Sequence, residues 1–226
     1  MRICFISENS VEAFVREYER GGGCRREELR ADLFVFGFGG MGEVSYEREL
    51  KGDTAYFEAV ARLSRWSQSV VVCGGITDAR GHKRKSAVVA ENGKVLGVSD
   101  ALHAIDGEMA SGAALRVYET AVGRMGVAVA DDLRFPEVMK ALSVCGSDFV
   151  VCPHERADEM QRVLLRAHAY CYGLPIYFCA KGYAMIADAS GGTPFASPQS
   201  PIYAEFSDKK EYHLVETRRR GIYRSK

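Results

Sequence analysis

The stretch ADDLRFPE, residues 130–137, decides the fold of this chain. It follows the apolar run 127–129 and precedes a helical pattern at 138–142. Pro136 suits the first turn of that helix, because the N–H that proline lacks would have no partner within the helix there. The order of these pieces predicts a strand, a tight turn and then a helix.

Short apolar runs rich in Val, Ile and Phe recur along the chain. They lie at 32–37, 70–75, 122–130, 148–152 and 175–180. Uniform runs of this kind are typical of strands buried on both faces in a layered α/β protein. Apolar residues at helical spacing in 53–68 and 155–172 predict helices between the strands.

The segment 85–99 predicts an antiparallel hairpin. Asn92 and Gly93 separate two apolar stretches, and both residue types tolerate a positive φ. A hairpin mixed with βα units favours two stacked sheets with outer helices over a simple doubly wound sheet. We expect residues 1–226 to form one α/β domain that is loosely ordered after about residue 190.

The composition limits the classes of function. The chain has 226 residues, 47% of them hydrophobic, which is enough for one sizeable core. Thirty basic and thirty acidic residues balance, so no overall field favours nucleic acid or an anionic membrane as a partner. Seven cysteines without a C-x-x-C pair argue against a disulfide framework and a zinc site. The sequence shows neither a signal peptide nor a spanning segment, so we expect a cytoplasmic protein. We also expect it to need no cofactor.

Residues 130–137 resemble the nucleophile segment of the carbon-nitrogen hydrolase (nitrilase/amidase) superfamily, in which a strand ends in C-Y-D-x-R-F-P-E. Other segments resemble further parts of the family in the same order and spacing, namely 2–8, 32–36, 93–97, 146–153 and 167–175. The resemblance implies an α-β-β-α sandwich of two stacked mixed sheets with outer helices. It also implies a homodimer that packs through outer helices.

The same resemblance places Ala130 at the nucleophilic cysteine, Phe38 at the catalytic glutamate and Ala101 at the catalytic lysine. In the family, the glutamate deprotonates the cysteine, the thiolate attacks carbon and the lysine stabilises the oxyanion. A methyl group cannot attack a carbonyl or nitrile carbon, and the three roles depend on one another. The chain is therefore expected to be a pseudoenzyme with a less polar pocket.

A relocated thiol is the alternative. Cys152 and His154 could supply a new nucleophile and base, which would give an active hydrolase of amides, nitriles or N-carbamoyl compounds. Residues two apart point the same way only while a strand persists, and Pro153 is expected to interrupt this one. A metal site built from Asp131, Asp132, Glu108 and His103 has suitable hard ligands but no supporting spacing, so we expect no metal.

The predicted ligand pocket combines the three substituted positions with nearby polar residues. Its lining is Phe38, Ala101, His103, Glu108, Ala130, Asp131, Cys152 and His154. We expect Asp132, Arg134 and Glu137 to be structural, with Arg134 paired to Asp132 or Glu137.

The predicted partners are a small-molecule ligand and either a second copy of the chain or an intact paralogue in a mixed oligomer. Their predicted contacts are the apolar stripe on 155–172 and the strand 212–215. The basic run 218–220 is interpreted as a solvated tail.

Overall fold

Two β-sheets stack face to face in the computed structural model, which describes residues 1–20, 30–105, 107 and 109–207. The first sheet contains β1 (Arg2–Ile6), β2 (Leu33–Phe36), β3 (Glu43–Ser45), β4 (Val70–Ala79), β5 (His82–Glu91), β6 (Lys94–Asp100) and β13 (Ile202–Glu205). Its strand order is β13-β1-β2-β4-β5-β6, and β3 pairs with β4. Parallel and antiparallel pairs occur together, so the sheet is mixed.

The second sheet has the order β12-β11-β10-β9-β8-β7 and is also mixed. Its strands are β7 (Val117–Thr120), β8 (Gly123–Val127), β9 (Phe149–Pro153), β10 (Ile176–Ala180), β11 (Tyr183–Ala187) and β12 (Phe195–Ser197). The helices are α1 (Val11–Arg20), α2 (Tyr46–Lys51), α3 (Tyr56–Ser67), α4 (Pro136–Val144) and α5 (Glu159–Tyr172).

Buried side chains form three clusters that follow the layers. One cluster lies between the sheets and includes Val35 and Val151. The second joins α1 and α3 to the first sheet, and the third joins α4 and α5 to the second sheet. Because successive strand residues point to opposite faces, each central strand contributes to two clusters. The predicted α-β-β-α sandwich is confirmed.

The two local predictions around the site are also confirmed. β8 and β9 pair in parallel, with Val127 opposite Val151. β5 and β6 form the hairpin, and its turn residues Asn92 and Gly93 have φ of 51° and 79°. The ladder of this hairpin contains a register shift between Val89 and Ala90.

The segment after Asp188 contains two short strands that the sequence analysis did not predict. β12 pairs with β11, and β13 pairs with the edge of β1, so that Ile202 lies opposite Phe5. These strands have three and four residues, which is too short for a period-two pattern to stand out among Gly, Ser and Pro. The predicted strand 212–215 and the basic run 218–220 lie outside the described residues.

Several residues of the predicted apolar stripe of α5 face solvent, although Leu164 packs partly against the second sheet's cluster. Met160, Val163 and Tyr170 are 56%, 51% and 49% exposed, whereas the helix packs Leu165 and Ala169 against the second sheet. Within the described part of the chain, no helix combines the length and the apolar character needed to span a membrane.

Candidate functional site

Ala130, at the start of the turn after β8, has a left-handed backbone conformation. Ala130 has a φ of 50° and is fully buried, in the cluster between the sheets. This conformation costs an ordinary L-residue about 1–2 kcal/mol, because its Cβ approaches the following carbonyl oxygen. The turn therefore keeps a strained backbone at the position predicted for the nucleophile, although a methyl group occupies it.

The three residues that were predicted at the catalytic positions all contribute to the buried layer between the sheets. Phe38, Ala101 and Ala130 are 8%, 3% and 0% exposed and belong to one buried cluster. Phe38 starts a 3₁₀ turn that Gly37 separates from β2, and its N–H donates to the carbonyl oxygen of His154 at 3.4 Å. Ala101 follows β6 directly. These three side chains offer neither a nucleophile nor a titratable group.

The Phe38 ring packs over Gly74 between the sheets. A Cβ added to Gly74 would lie 3.1 Å from the ring and 2.8 Å from the Cβ of Pro153. The absence of a side chain at Gly74 therefore lets the ring and β9 approach β4 closely. Burying such a ring contributes about 1.5–3 kcal/mol, so Phe38 adds apolar packing at this position.

A buried lysine that sequence reasoning missed lies beside Ala101. The N–H of Ala101 donates to the carbonyl oxygen of Lys85 at 2.8 Å, and the next ladder pair joins Ser86 to Asp100. Lys85 is therefore the cross-strand neighbour of Ala101. Directly opposite residues of an antiparallel pair share one face of the sheet, with Cβ atoms about 4.5–5.5 Å apart. Lys85 thus points into the layer between the sheets.

Among the described residues, Asp131 and Glu155 both pair with the ammonium of Lys85. Its Nζ lies 3.0 Å from Asp131 Oδ2 and 3.1 Å from Glu155 Oε2. The lysine and aspartate side chains are 6% and 14% exposed, while that of Glu155 is 42% exposed. Asp131 also accepts a hydrogen bond from Arg134 Nε at 3.2 Å. We call Lys85, Asp131, Glu155 and Arg134 the charged cluster; its formal charges sum to zero.

Asp132 and His103 brace the same region. Asp132 is 1% exposed and accepts hydrogen bonds from the N–H groups of Leu102 and His103 and from His103 Nδ1, at 3.0–3.1 Å. Burial raises the pKa of Asp132, and the hydrogen bonds from Leu102 and His103 oppose that rise. The imidazole of His103 stacks on Phe135 with ring centroids 3.6 Å apart. This contact fixes the segment after β6 against the turn after β8.

The ion pair of Arg134 differs from the one that the sequence predicted. Arg134 pairs with Asp131, whereas Asp132 bonds to His103. Glu137 lies 3.9 Å from His103 Nε2 and is largely exposed. The carboxylate of Asp132 is instead occupied by hydrogen bonds from the N–H groups of Leu102 and His103 and from His103 Nδ1.

Cys152 lies in a different layer from Phe38, Ala101 and Ala130. Its side chain belongs to the cluster under α4 and α5 and is fully buried. Burial raises the pKa of the Cys152 thiol, and the negative charges of Asp132 and Asp131 raise it further. A thiol in such surroundings is a poor nucleophile.

His154 is buried close to the same outer layer, with its ring 5.7 Å from that of Phe178. Burial lowers the pKa of His154, and its Nδ1 accepts a hydrogen bond from the N–H of Arg156. Among the described residues, no hydrogen bond joins His154 to Cys152. The interpretation that Pro153 interrupts the strand is wrong, because the His154 N–H continues the ladder to Cys179 at 2.8 Å.

A metal site finds no support in the described part of the chain. There, no group of three His, Cys, Asp or Glu side chains could hold an ion. His103 and Asp132 bond to each other, and Asp131 bonds to Lys85. Glu108, a predicted pocket residue, lies outside the described residues.

Replacing Ala130 by glycine tests the strained turn. We expect a change of less than about 1 kcal/mol in the free energy of unfolding, because relief of the left-handed strain offsets the lost methyl and the flexibility of glycine. Ala128 is equally buried but has no positive φ, so Ala128→Gly should cost about 1–2 kcal/mol. Denaturant unfolding of both variants measures the difference, and equal losses would contradict the strain at Ala130.

The chain is similar to known proteins of one kind. The family model for carbon-nitrogen hydrolases matches residues 31–222. Nit3 of Saccharomyces cerevisiae, a member of branch 10 of the nitrilase superfamily, has 14% sequence identity and a TM-score of 0.73, with 100% of this chain and 95% of that chain covered. An amidase from Nesterenkonia sp. has 17% identity and a TM-score of 0.72, with coverage of 96% and 95%.

A mutant of that amidase in complex with butyramide has 18% identity and a TM-score of 0.70, with 90% of this chain and 88% of that chain covered. No curated protein sequence matches the chain. At these identities, the structural likeness concerns the fold alone, whereas the family match extends over most of the sequence.

Proposed function

Because this chain belongs to the carbon-nitrogen hydrolase family, we propose that it is a non-hydrolytic member, which binds a small molecule or serves as a partner subunit. The observation that carries the proposal is the joint burial of Phe38, Ala101 and Ala130 in one cluster. Covalent hydrolysis by the family route needs a nucleophile, a base and an oxyanion donor at these positions. The three side chains can fill none of these roles.

The relocated-thiol alternative has little geometric support. Cys152 packs under the outer helices, whereas the substituted positions lie between the sheets. Cys179 does border the layer between the sheets, but it is fully buried and burial raises the pKa of its thiol. A hydrolase would need an ionisable thiol within reach of both a base and the substrate.

A partner subunit role has support at the surface. The exposed side chains of Met160, Val163 and Tyr170 lie on α5, and Val144 at the end of α4 is 67% exposed. Exposed apolar area of this kind is typical of protein contacts when it is contiguous. We therefore include a second copy of the chain or a catalytically intact relative among the proposed partners.

The purified protein is expected to release no ammonia above the uncatalysed background from aliphatic amides, nitriles or N-carbamoyl compounds. An active amidase of the family, assayed with the same butyramide stock, controls for the sensitivity of the measurement. Turnover by this chain would contradict the proposal. In that event Cys152→Ser separates the two routes, since loss of activity would identify the relocated thiol and unchanged activity would reject it.

A further inference from the structure

We propose that Lys85 binds the carboxylate of a small organic acid, and that Glu155 occupies this place in the unliganded protein. The inference deepens the proposed function and rests on it, because it names the ligand class of the same site. It also assigns the binding role to a residue on β5 rather than to position 101, which follows β6. The geometry of the charged cluster carries it.

The first step concerns the place of the ammonium. Lys85 is the cross-strand neighbour of Ala101, and its Nζ reaches the carboxylate of Asp131, which directly follows Ala130. The lysine is therefore paired with one of the substituted positions, and its ammonium contacts the residue that follows another. A cation is thus present in this region, although it extends from the neighbouring strand.

The second step concerns cost. Burying an ammonium costs several kcal/mol after relaxation, and an apolar side chain of similar size is often neutral or stabilising at such a place. Packing alone therefore gives no reason for a lysine at position 85, which shares its face of β5 with the apolar Ala87 and Val89. The binding of a negatively charged ligand would explain why a lysine stands there.

The third step concerns Glu155. Its carboxylate approaches a nearly buried ammonium, yet 42% of its side chain is exposed, so it can turn out into water and remain solvated. Asp131 is less exposed and is held by Arg134 as well as by Lys85. Glu155 is therefore the exchangeable carboxylate of the pair. Its side chain has the carbon skeleton of propionate, which sets the size of the group that can replace it.

The fourth step concerns the chemical class. A ligand carboxylate would restore the charge-assisted bond that Glu155 gives up, and such bonds are stronger than those between neutral groups. A neutral amide of the same shape could not restore it. Ala101, opposite Lys85, and Ala130, next to Asp131, are apolar, so a short hydrocarbon tail suits the remainder of the ligand. We therefore infer small monocarboxylates with an apolar tail.

The experiment titrates the folded protein with propionate and acetate, and with propionamide and acetamide as neutral isosteres. Amide NMR resonances of Ala101, Ala130 and Asp131 report binding at this place. In the wild-type protein, propionate should saturate these shifts and propionamide should bind at least about ten-fold more weakly. Glu155→Ala removes the internal competitor and leaves room for acetate, whose affinity should rise by about ten-fold or more.

Matched variants separate this site from general charge effects. Lys85→Met should abolish saturable binding of both acids. Lys83→Met, on the same strand but in an exposed pair with Glu43, should leave it unchanged. Glu159→Ala, which removes an exposed glutamate on α5, should not increase acetate affinity.

Equal binding of acid and amide, unchanged binding in Lys85→Met, or no gain in Glu155→Ala would each overturn the inference. If Lys85→Met does not fold, the comparison of Glu155→Ala with the wild-type protein decides alone. These results leave the non-hydrolytic function untouched. That function fails separately, if propionamide is hydrolysed during the titration.

Discussion

Introducing glutamate, lysine and cysteine together, as Phe38→Glu, Ala101→Lys and Ala130→Cys, is expected to yield no measurable amidase activity and a much less stable protein. Removal of the buried Phe38 ring alone should cost about 3–5 kcal/mol of unfolding free energy. The new carboxylate would also enter an apolar cluster, where burial disfavours its charged form.

Lys85, which lies opposite Ala101, is a second reason to expect an unstable and inactive triple variant. The introduced ammonium would stand directly across the ladder from Lys85, and like charges in opposite positions destabilise a strand pair. The residues after Ala169 are also changed, since Cys171 and Tyr172 replace the acidic and amide residues of the resembling family segment. A nucleophile needs supporting residues to hold it in its productive geometry.

Ammonia release from butyramide and denaturant unfolding measure the two expected effects. Adding Lys85→Met to the triple variant removes the charge repulsion and shows how much stability that repulsion costs. Strong amidase activity in the triple variant would show that only the triad had been lost, and would contradict a remodelled site.

Asp132→Ala is expected to destabilise the protein by about 3–5 kcal/mol, although Asp132 is not one of the residues at the predicted catalytic positions. Its carboxylate accepts from two backbone N–H groups and from His103 Nδ1, and the aspartate is almost completely buried. Without the carboxylate, those backbone donors lose their partner, at about 1–3 kcal/mol for each group. The segment 101–103 should then separate from the turn after β8.

Asp32→Ala is the matched control, because Asp32 also accepts from a backbone N–H, that of Arg2, but in an exposed place. It should cost less than about 1 kcal/mol. Asp132→Asn keeps one acceptor oxygen and should recover part of the loss. If Asp132→Ala costs no more than the control, the brace between β6 and the turn after β8 is unimportant.

Much of the fold could be predicted from residues that act locally. Asn92 and Gly93 specify a turn by their tolerance of positive φ, and Pro136 marks the first turn of α4. The parallel pair of β8 and β9 follows from the strand, turn and helix order around residues 130–137. These features depend on short stretches of chain, so the sequence is sufficient to predict them.

The charged cluster could not be predicted in the same way. Lys85, Asp131 and Glu155 are separated by tens of residues, and their meeting depends on how the two sheets stack. Counting back from the hairpin turn pairs Lys85 with Asp100, not with Ala101. The register shift near Val89 changes that pairing, and no residue type marks it in the sequence. The layer of Cys152 likewise depends on which face of β9 it occupies.

The register shift in the β5–β6 hairpin has a consequence for how this site can change during evolution. Val89 pairs with Gly97 and Ala90 with Val95, so Leu96 has no partner in the ladder. A bulge of this kind absorbs one residue while the strands beyond it stay in register. A residue can therefore be gained or lost at the turn end of the hairpin without moving Lys85 relative to Ala101. The length of the loop and the electrostatics of the site can vary independently.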